Sequence, residues 1–315
     1  MHEPVLMDEV LRFLDIREGG IYIDGTMGSG GHSEAILERI GVDGMLLAID
    51  RDQDAIERCG HRLSRFGNRC RRVHGNYADV AGLAARAGLE KVDGILLDLG
   101  VSSDQIDTPE RGFSFMHDGP LDMRMDQSVA TTAAELVNSA SEQDLVSILR
   151  TLGEERSAKR VAAAIVHRRN ARPFETTGDL AEVISEAKGG RRGRTHPATQ
   201  SFQALRMEVN RELDGVEAGL KGGLELLKDG GRMAVITFHS LEDRMVKHFF
   251  AAHEGRWKSL AAGGEAWEGE LPPMKRITRK PVQPTDDECR SNPRARSSKL
   301  RVAERIASPF KKGRY

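Results

Sequence analysis

The sequence predicts an α/β protein with a doubly wound, mostly parallel sheet and an inserted all-helical domain. Three observations carry this. Short apolar runs alternate with amphipathic helical patterns from residue 21 to residue 100, a βαβαβαβ order. Three of those runs end in an aspartate: Asp24, Asp50 and Asp98. The strand signal then lapses until Met233–Phe238, and the chain between reads as helices.

Val5 to Leu14 reads as a short amphipathic helix. Ile21–Asp24 is the first strand, and four glycines follow within seven residues: Gly25, Gly28, Gly30 and Gly31. Helical pattern resumes at Ser33. A glycine turn between strand and helix lets a ligand approach the backbone without meeting a Cβ, and aims helix N–H groups at it. Gly44–Asp50 is the second strand. Asp50 is placed to accept hydrogen bonds from a ribose, or to cap the helix of residues 54–66. Arg71–Tyr77 is a third strand, with Tyr77 at its end to flank an adenine or simply to pack. Val80–Ala87 is helical, and Val92–Gly100 is a buried fourth strand with Asp98 near its tip. In such sheets ligands bind at the carboxyl ends of the strands, where Asp24, Asp50, Tyr77 and Asp98 would converge.

Residues 101–126 read as one long loop, rich in arginines, acids and aromatics, and a loop of that length is usually functional or disordered. Residues 132–187 are helical. Thr132 with Glu135 forms a capping box, Ser141 caps a second helix, residues 154–169 form a third, and Thr177 caps a fourth. Residues 189–194 are a basic, glycine-rich loop. Residues 200–227 read as one long helix returning to the sheet, Met233–Phe238 as the fifth strand and Leu241–Ala252 as a helix. Residues 255–273 read as loose, and Arg276–Arg279 with Ser298–Val302 as a closing strand pair. The expected domains are residues 1–110 and 199–315 for the sheet and 111–198 for the insert.

The chain has 315 residues, 30% of them charged and 39% hydrophobic, which reads as globular and soluble. No apolar run reaches the length of a membrane span, and the start has no basic signal region. Cys59, Cys70 and Cys289 lack paired spacing and read as reduced thiols of a cytoplasmic protein. Net charge is only −1, but residues 1–150 carry 15 Lys+Arg against 26 Asp+Glu while residues 275–315 carry 13 against 4. A basic tail behind an acidic front suggests a phosphate-binding face, or a solvated tail. His239, Asp243, His248 and His253 lack metal-ligand spacing, so no metal is expected. Ser102 and Ser103 lack a nucleophile elbow.

The glycine turn departs from the dinucleotide fingerprint, because Ser33 stands where a third glycine belongs. Its acid-Gly-x-x-Gly-x-Gly form resembles the S-adenosylmethionine loop of Rossmann-like methyltransferases. Longer strings then coincide: Met1–Leu6, Asp24–Ser33, Asp98–Ser103, Arg111–Phe115, Pro120–Met125, His196–Thr199, Phe202–Arg206, Phe238–Arg244 and Asn292–Arg301. Together they closely resemble the bacterial 16S ribosomal RNA (cytosine(1402)-N4)-methyltransferase family, MraW or RsmH, nearly end to end.

The resemblance implies transfer of one methyl from S-adenosylmethionine to the exocyclic N4 of a cytidine in the decoding centre of 16S rRNA, within the small ribosomal subunit. It implies a Rossmann-like S-adenosylmethionine-dependent methyltransferase fold with the helical insert. The family's cofactor contacts fall on Gly30, Gly31, His32, Asp50, Tyr77, Asp98 and Gln105. Tyr77 stands where Phe is common, and Gln200 where Arg is common. Asp98 is the candidate for orienting the amine, helped by the Leu99–Ser103 backbone. Arg111, Phe113, Phe115, Asp122 and Arg124 could hold a cytidine drawn out of the RNA, with Arg206, Asn210, His239 and Ser240 as further candidates. The basic insert and tail would bind phosphates. The oligomeric state is open, with a homodimer among the options. Competing readings are an amino-methyltransferase acting on DNA or a small molecule, an RNA-binding protein that holds the cofactor without turnover, and a nicotinamide oxidoreductase. The first is disfavoured because Asp98-Leu99-Gly100-Val101 lacks the Pro-Pro-aromatic of DNA amino-methyltransferases.

Overall fold

The computed structural model describes residues 4–190, 193, 195–260 and 265–307. Arg191, Arg192 and Arg194 of the basic loop, and the last basic residues from 308 on, lie outside them. The chain divides into two compact units, Met1–Gly100 with Leu213–Tyr315, and Val101–Glu212. The sequence reading placed those boundaries near residues 110 and 198.

The first unit opens with α1 (Met7–Phe13), β1 (Ile21–Asp24), α2 (Gly31–Arg39), β2 (Met45–Asp50), α3 (Gln53–Leu63), β3 (Cys70–His74), α4 (Val80–Arg86) and β4 (Val92–Asp98). The second unit holds α5 (Ser103–Asp107), α6 (Ala133–Ser139), α7 (Glu142–Thr151), α8 (Ala158–Ala171), α9 (Thr177–Ala187) and α10 (Thr199–Val209). The chain then returns through α11 (Glu212–Leu226), β5 (Leu227–Thr237), α12 (Ser240–His253), β6 (Arg256–Ser259), β7 (Glu265–Glu268), β8 (Met274–Arg276), α13 (Asp286–Ser291) and β9 (Lys299–Arg305).

The sheet of the first unit has seven strands in the order β3-β2-β1-β4-β5-β9-β8. Its first five strands run parallel, and β9 and β8 close it antiparallel. Parallel strands need cover on both faces, and the side chains alternate accordingly. Ile23, Leu47, Ile49, Ile95, Leu97 and Val235 pack on one face with α4, α11 and α12. Tyr22, Leu46, Ala48, Leu96, Ala234 and Ile236 pack on the other with α1 and α2. The second unit has its own core, in which Leu145, Leu149, Val161, Ala162, Ile165, Leu180 and Ile184 meet Phe174, Phe202 and Leu205.

Several expectations are corrected. Strand three stops at His74, and Tyr77 opens a 3₁₀ turn because the Asn76 side chain caps the Ala78 N–H at 3.0 Å. The 101–126 segment is not all loop: Ser102 and Gln105 cap each other reciprocally and nucleate α5. Thr176, not Thr177, caps α9, while the Thr177 hydroxyl accepts the Gly119 N–H at 3.2 Å. The long helix of residues 200–227 is two helices, broken where Arg211 takes a φ of 49°. Within the stretch read as loose, residues 256–259 and 265–268 form the antiparallel pair β6–β7.

Candidate active site

The carboxyl ends of the parallel strands in the first unit bring the predicted acids together. Asp24 pairs in register with Ala48 on β2 and Leu96 on β4. Asp50 and Asp98 therefore stand two residues beyond it on the flanking strands, about 6–7 Å further out.

Asp24 is completely buried. Its carboxylate accepts from the Ser33 hydroxyl at 2.7 Å and the Thr26 N–H at 3.1 Å, which ties β1 to both ends of the turn. Burial nevertheless outweighs those bonds and pushes its pKa up to about 6. The turn needs its glycines. Gly28 and Gly30 sit at φ 52° and 79°, a region that costs other residues strain, and a Cβ on Gly31 would lie 2.2 Å from Pro4 Cγ. Cys59 of α3 braces the turn by donating its thiol to the Gly28 carbonyl at 3.0 Å, and burial lifts that thiol to about 11.

Asp50 is fixed by two backbone donors, Gly28 N–H at 2.7 Å and Asp52 N–H at 2.8 Å. Burial raises its pKa despite them. Capping of α3 falls to Asp52, whose side chain accepts from Asp54 N–H at 3.1 Å, so Asp50 is left for another task. Tyr77 packs its ring against α11, where a Cβ on Gly219 would lie 2.7 Å from the ring.

Asp98 is held from its backbone, where its N–H donates to Thr26 Oγ1 at 2.6 Å. Its side chain is 25% exposed, but Oδ1 is buried and has no hydrogen-bond partner among the described residues. Burial first, then the Asp24 and Glu242 carboxylates, push its pKa up to about 8. His32 Nε2 lies 3.7 Å from Asp98 Oδ2. Burial, partly offset by the Val5 backbone, drops the His32 pKa to about 4, so the imidazole is neutral at neutral pH and supplies no counter-charge. Neither ring nitrogen has a well-aligned hydrogen bond among the described residues, the Val5 backbone giving only a weak one. A weakly bonded buried imidazole and a buried carboxylate oxygen without a partner, beside a turn that a Cβ would fill, fit a polar, positively charged ligand with a slim backbone contact. S-adenosylmethionine has those properties.

His239 and Ser240 follow β5. His239 caps α12, its Nδ1 accepting from Glu242 N–H at 3.4 Å, and its Nε2 lies 3.0 Å from Glu242 Oε1. Ser240 is exposed. Thr26, Ser33, Cys59 and Glu242 were missed by sequence reasoning. Thr26, Ser33 and Glu242 lie inside the motif strings, but only the register of β1, β4 and β5 shows what they hold.

In the second unit, Gln105 is buried and closes the capping box of α5. Arg111 is buried and donates to the carbonyls of Arg124 and Met125 at 3.0 and 2.9 Å, with its guanidinium over the Phe113 ring. Arg124 forms a bidentate pair with Asp122 at 2.9 and 2.7 Å. Asn210 bridges the same segment, accepting from Met125 N–H at 2.8 Å and donating to Met123 O at 2.7 Å. Arg206 forks onto Glu212 at 2.8 Å twice. Phe115 meets His196 at a tilt and Phe202 edge-on, with ring centroids 4.6 and 4.7 Å away. The structure thus brings Arg111, Phe113, Asp122, Arg124 and Asn210 into one bonded segment, and sets Phe115 in an aromatic cluster.

The model of the MraW methylase family matches residues 1–306. The chain belongs to the MraW methylase family. This MraW chain is 51% identical over 314 residues to a ribosomal RNA small subunit methyltransferase H of Geotalea daltonii, covering 97% of this chain and 98% of that one. It is 50% identical over 307 residues to the protein of that name from a Geobacter species, with the same coverage. A third MraW relative, from Carboxydothermus hydrogenoformans and also named ribosomal RNA small subunit methyltransferase H, is 47% identical over 307 residues.

Proposed function

We infer that this chain transfers a methyl group from S-adenosylmethionine to the exocyclic N4 of a cytidine in 16S ribosomal RNA, at position 1402. The observation that carries this is the end-to-end identity of about half with proteins named ribosomal RNA small subunit methyltransferase H. The strand-tip geometry supports it. The reaction takes place in the cytoplasm, on the RNA within the small subunit.

When bound, S-adenosylmethionine supplies a sulfonium methyl that a nitrogen lone pair can accept. The chain's part is to bind and orient. Gly28, Gly30 and Gly31 admit the ligand's slim end against the backbone. Asp50, aimed by the Gly28 and Asp52 N–H groups, accepts from ribose hydroxyls. Tyr77 flanks the adenine. Asp98 Oδ1 accepts an N–H of the cytidine amine, which turns the nitrogen lone pair toward the methyl. No base is needed beforehand, because the neutral amine attacks and its proton passes to solvent afterwards. The second unit offers Phe113, Phe115, the Asp122–Arg124 pair and Arg206 to the RNA, and the first unit offers His239 and Ser240.

Purified protein tests the reading. Calorimetry should show S-adenosylmethionine binding and no NAD binding. Label from the cofactor's methyl should pass to small subunits prepared from cells lacking this gene, and not to DNA. Transfer to DNA alone would overturn the substrate assignment and leave the cofactor assignment standing.

A further inference from the structure

One helix of the second unit presents an unbalanced face. α8 packs Ala158, Val161, Ala162 and Ile165 into the core. On the opposite side Lys159, Arg160, Ala163 and His167 are exposed, continuing from exposed Arg156 before the helix. Arg150, exposed in the last turn of α7, adds a further cation where the two helices join. Among the described residues none of Arg150, Arg156, Lys159 and Arg160 has a carboxylate within ion-pair distance. The one exposed acid of the connection, Glu154, has a partner of its own.

The placement runs against helix electrostatics. α6, α7 and α9 each carry an acid in their first turn, where the helix dipole favours negative charge. α8, like α10, carries none, and it opens on Lys159 and Arg160; the carboxylate at its start is that of buried Glu155, which accepts the Ser157 N–H at 2.8 Å and is already paired with Lys188. Lys159 and Arg160 repel one another on the exposed face, and this favours an anionic partner. Exposed Ala163, with its short side chain, lets a broad polyanion lie close to the helix.

We propose that the α8 face, with Arg150, grips the phosphate backbone of the RNA substrate. This rests on the rRNA reading above. Three or four cations within two helical turns suit consecutive phosphates of one strand, and such contacts set register without reading sequence.

The test is steady-state methyl transfer by the full chain to small subunits lacking the modification, across a series of KCl concentrations. The triple variant Arg156→Gln/Lys159→Gln/Arg160→Gln should raise the KM for subunits about tenfold at 0.1 M KCl and reduce the salt slope of log(kcat/KM) by about 2 to 3. kcat, S-adenosylmethionine affinity and Tm should hold, or Tm should rise slightly. Lys221→Gln, which removes an exposed cation of the first unit, should leave KM and slope unchanged. An active wild type and a triple variant with wild-type KM and slope would overturn this inference alone. A Lys221→Gln loss about one third of the triple variant's, in proportion to the charge removed, would also overturn it, because the effect would then be one of net charge. A wild type that transfers nothing to subunits would overturn the rRNA reading, and this inference with it.

Discussion

At the scale of the single residue, the proposed chemistry turns on Asp98. With a pKa near 8 and a neutral His32 beside it, the free site is largely protonated at pH 7. A cationic ligand favours the ionised carboxylate, so binding releases a proton below pH 8. S-adenosylmethionine affinity should therefore rise with pH, at most about tenfold per unit, between pH 6 and 8 and level off above. Calorimetry at several pH values checks this, and a flat profile would contradict it. Asp98→Asn should flatten the profile and lower kcat by a factor on the order of 10²–10³, as for loss of one preorganised polar contact to the reacting group. If Asp98→Asn instead loses cofactor binding with kcat intact, Asp98 is a cofactor contact and not the amine's acceptor.

Asp24 makes a separate, thermodynamic prediction. It is an acid whose folded pKa, about 6, lies above its ordinary 3.8. Between those values the folded state holds more protons than the unfolded one, so this group's contribution falls as pH rises from about 4 to 6, by roughly 3 kcal/mol at most. Asp24→Asn should remove that part of the pH dependence in urea unfolding. A variant whose stability tracks wild type across the window would show that the Ser33 and Thr26 bonds already offset the burial.

At the scale of elements, the glycine turn is the sensitive joint. Gly30→Ala places a Cβ at φ 79° and 3.1 Å from Cys59 Sγ. It should cost about 1–3 kcal/mol in unfolding free energy and weaken cofactor binding. Thermal unfolding with and without S-adenosylmethionine separates the two effects. Wild-type stability and affinity would mean that the turn relaxes.

This turn and the acids around it were legible in the sequence because each depends on neighbours along the chain: an apolar run, an aspartate, glycines, a helix. The break between α10 and α11 was not. No Gly or Pro marks it, and Asn210 is held there by Met123 and Met125, more than 80 residues away. The same reason hid the part played by Arg111, whose guanidinium is occupied by backbone carbonyls of Arg124 and Met125. The β6–β7 pair was hidden because its strands are only four residues each and lack clean alternation.

At the scale of the molecule, the chain combines a sheet whose strand tips suit a cationic cofactor with a helical unit that carries a basic helix face. The family match spans both. The most direct test is nucleoside mass mapping of 16S rRNA from cells deleted for this gene and complemented with wild type or Asp98→Ala. The account predicts that the N4-methyl on cytidine 1402 disappears on deletion, returns with wild type and stays absent with Asp98→Ala. An unchanged methyl in the deletion strain, or its return with Asp98→Ala at wild-type level, would contradict it.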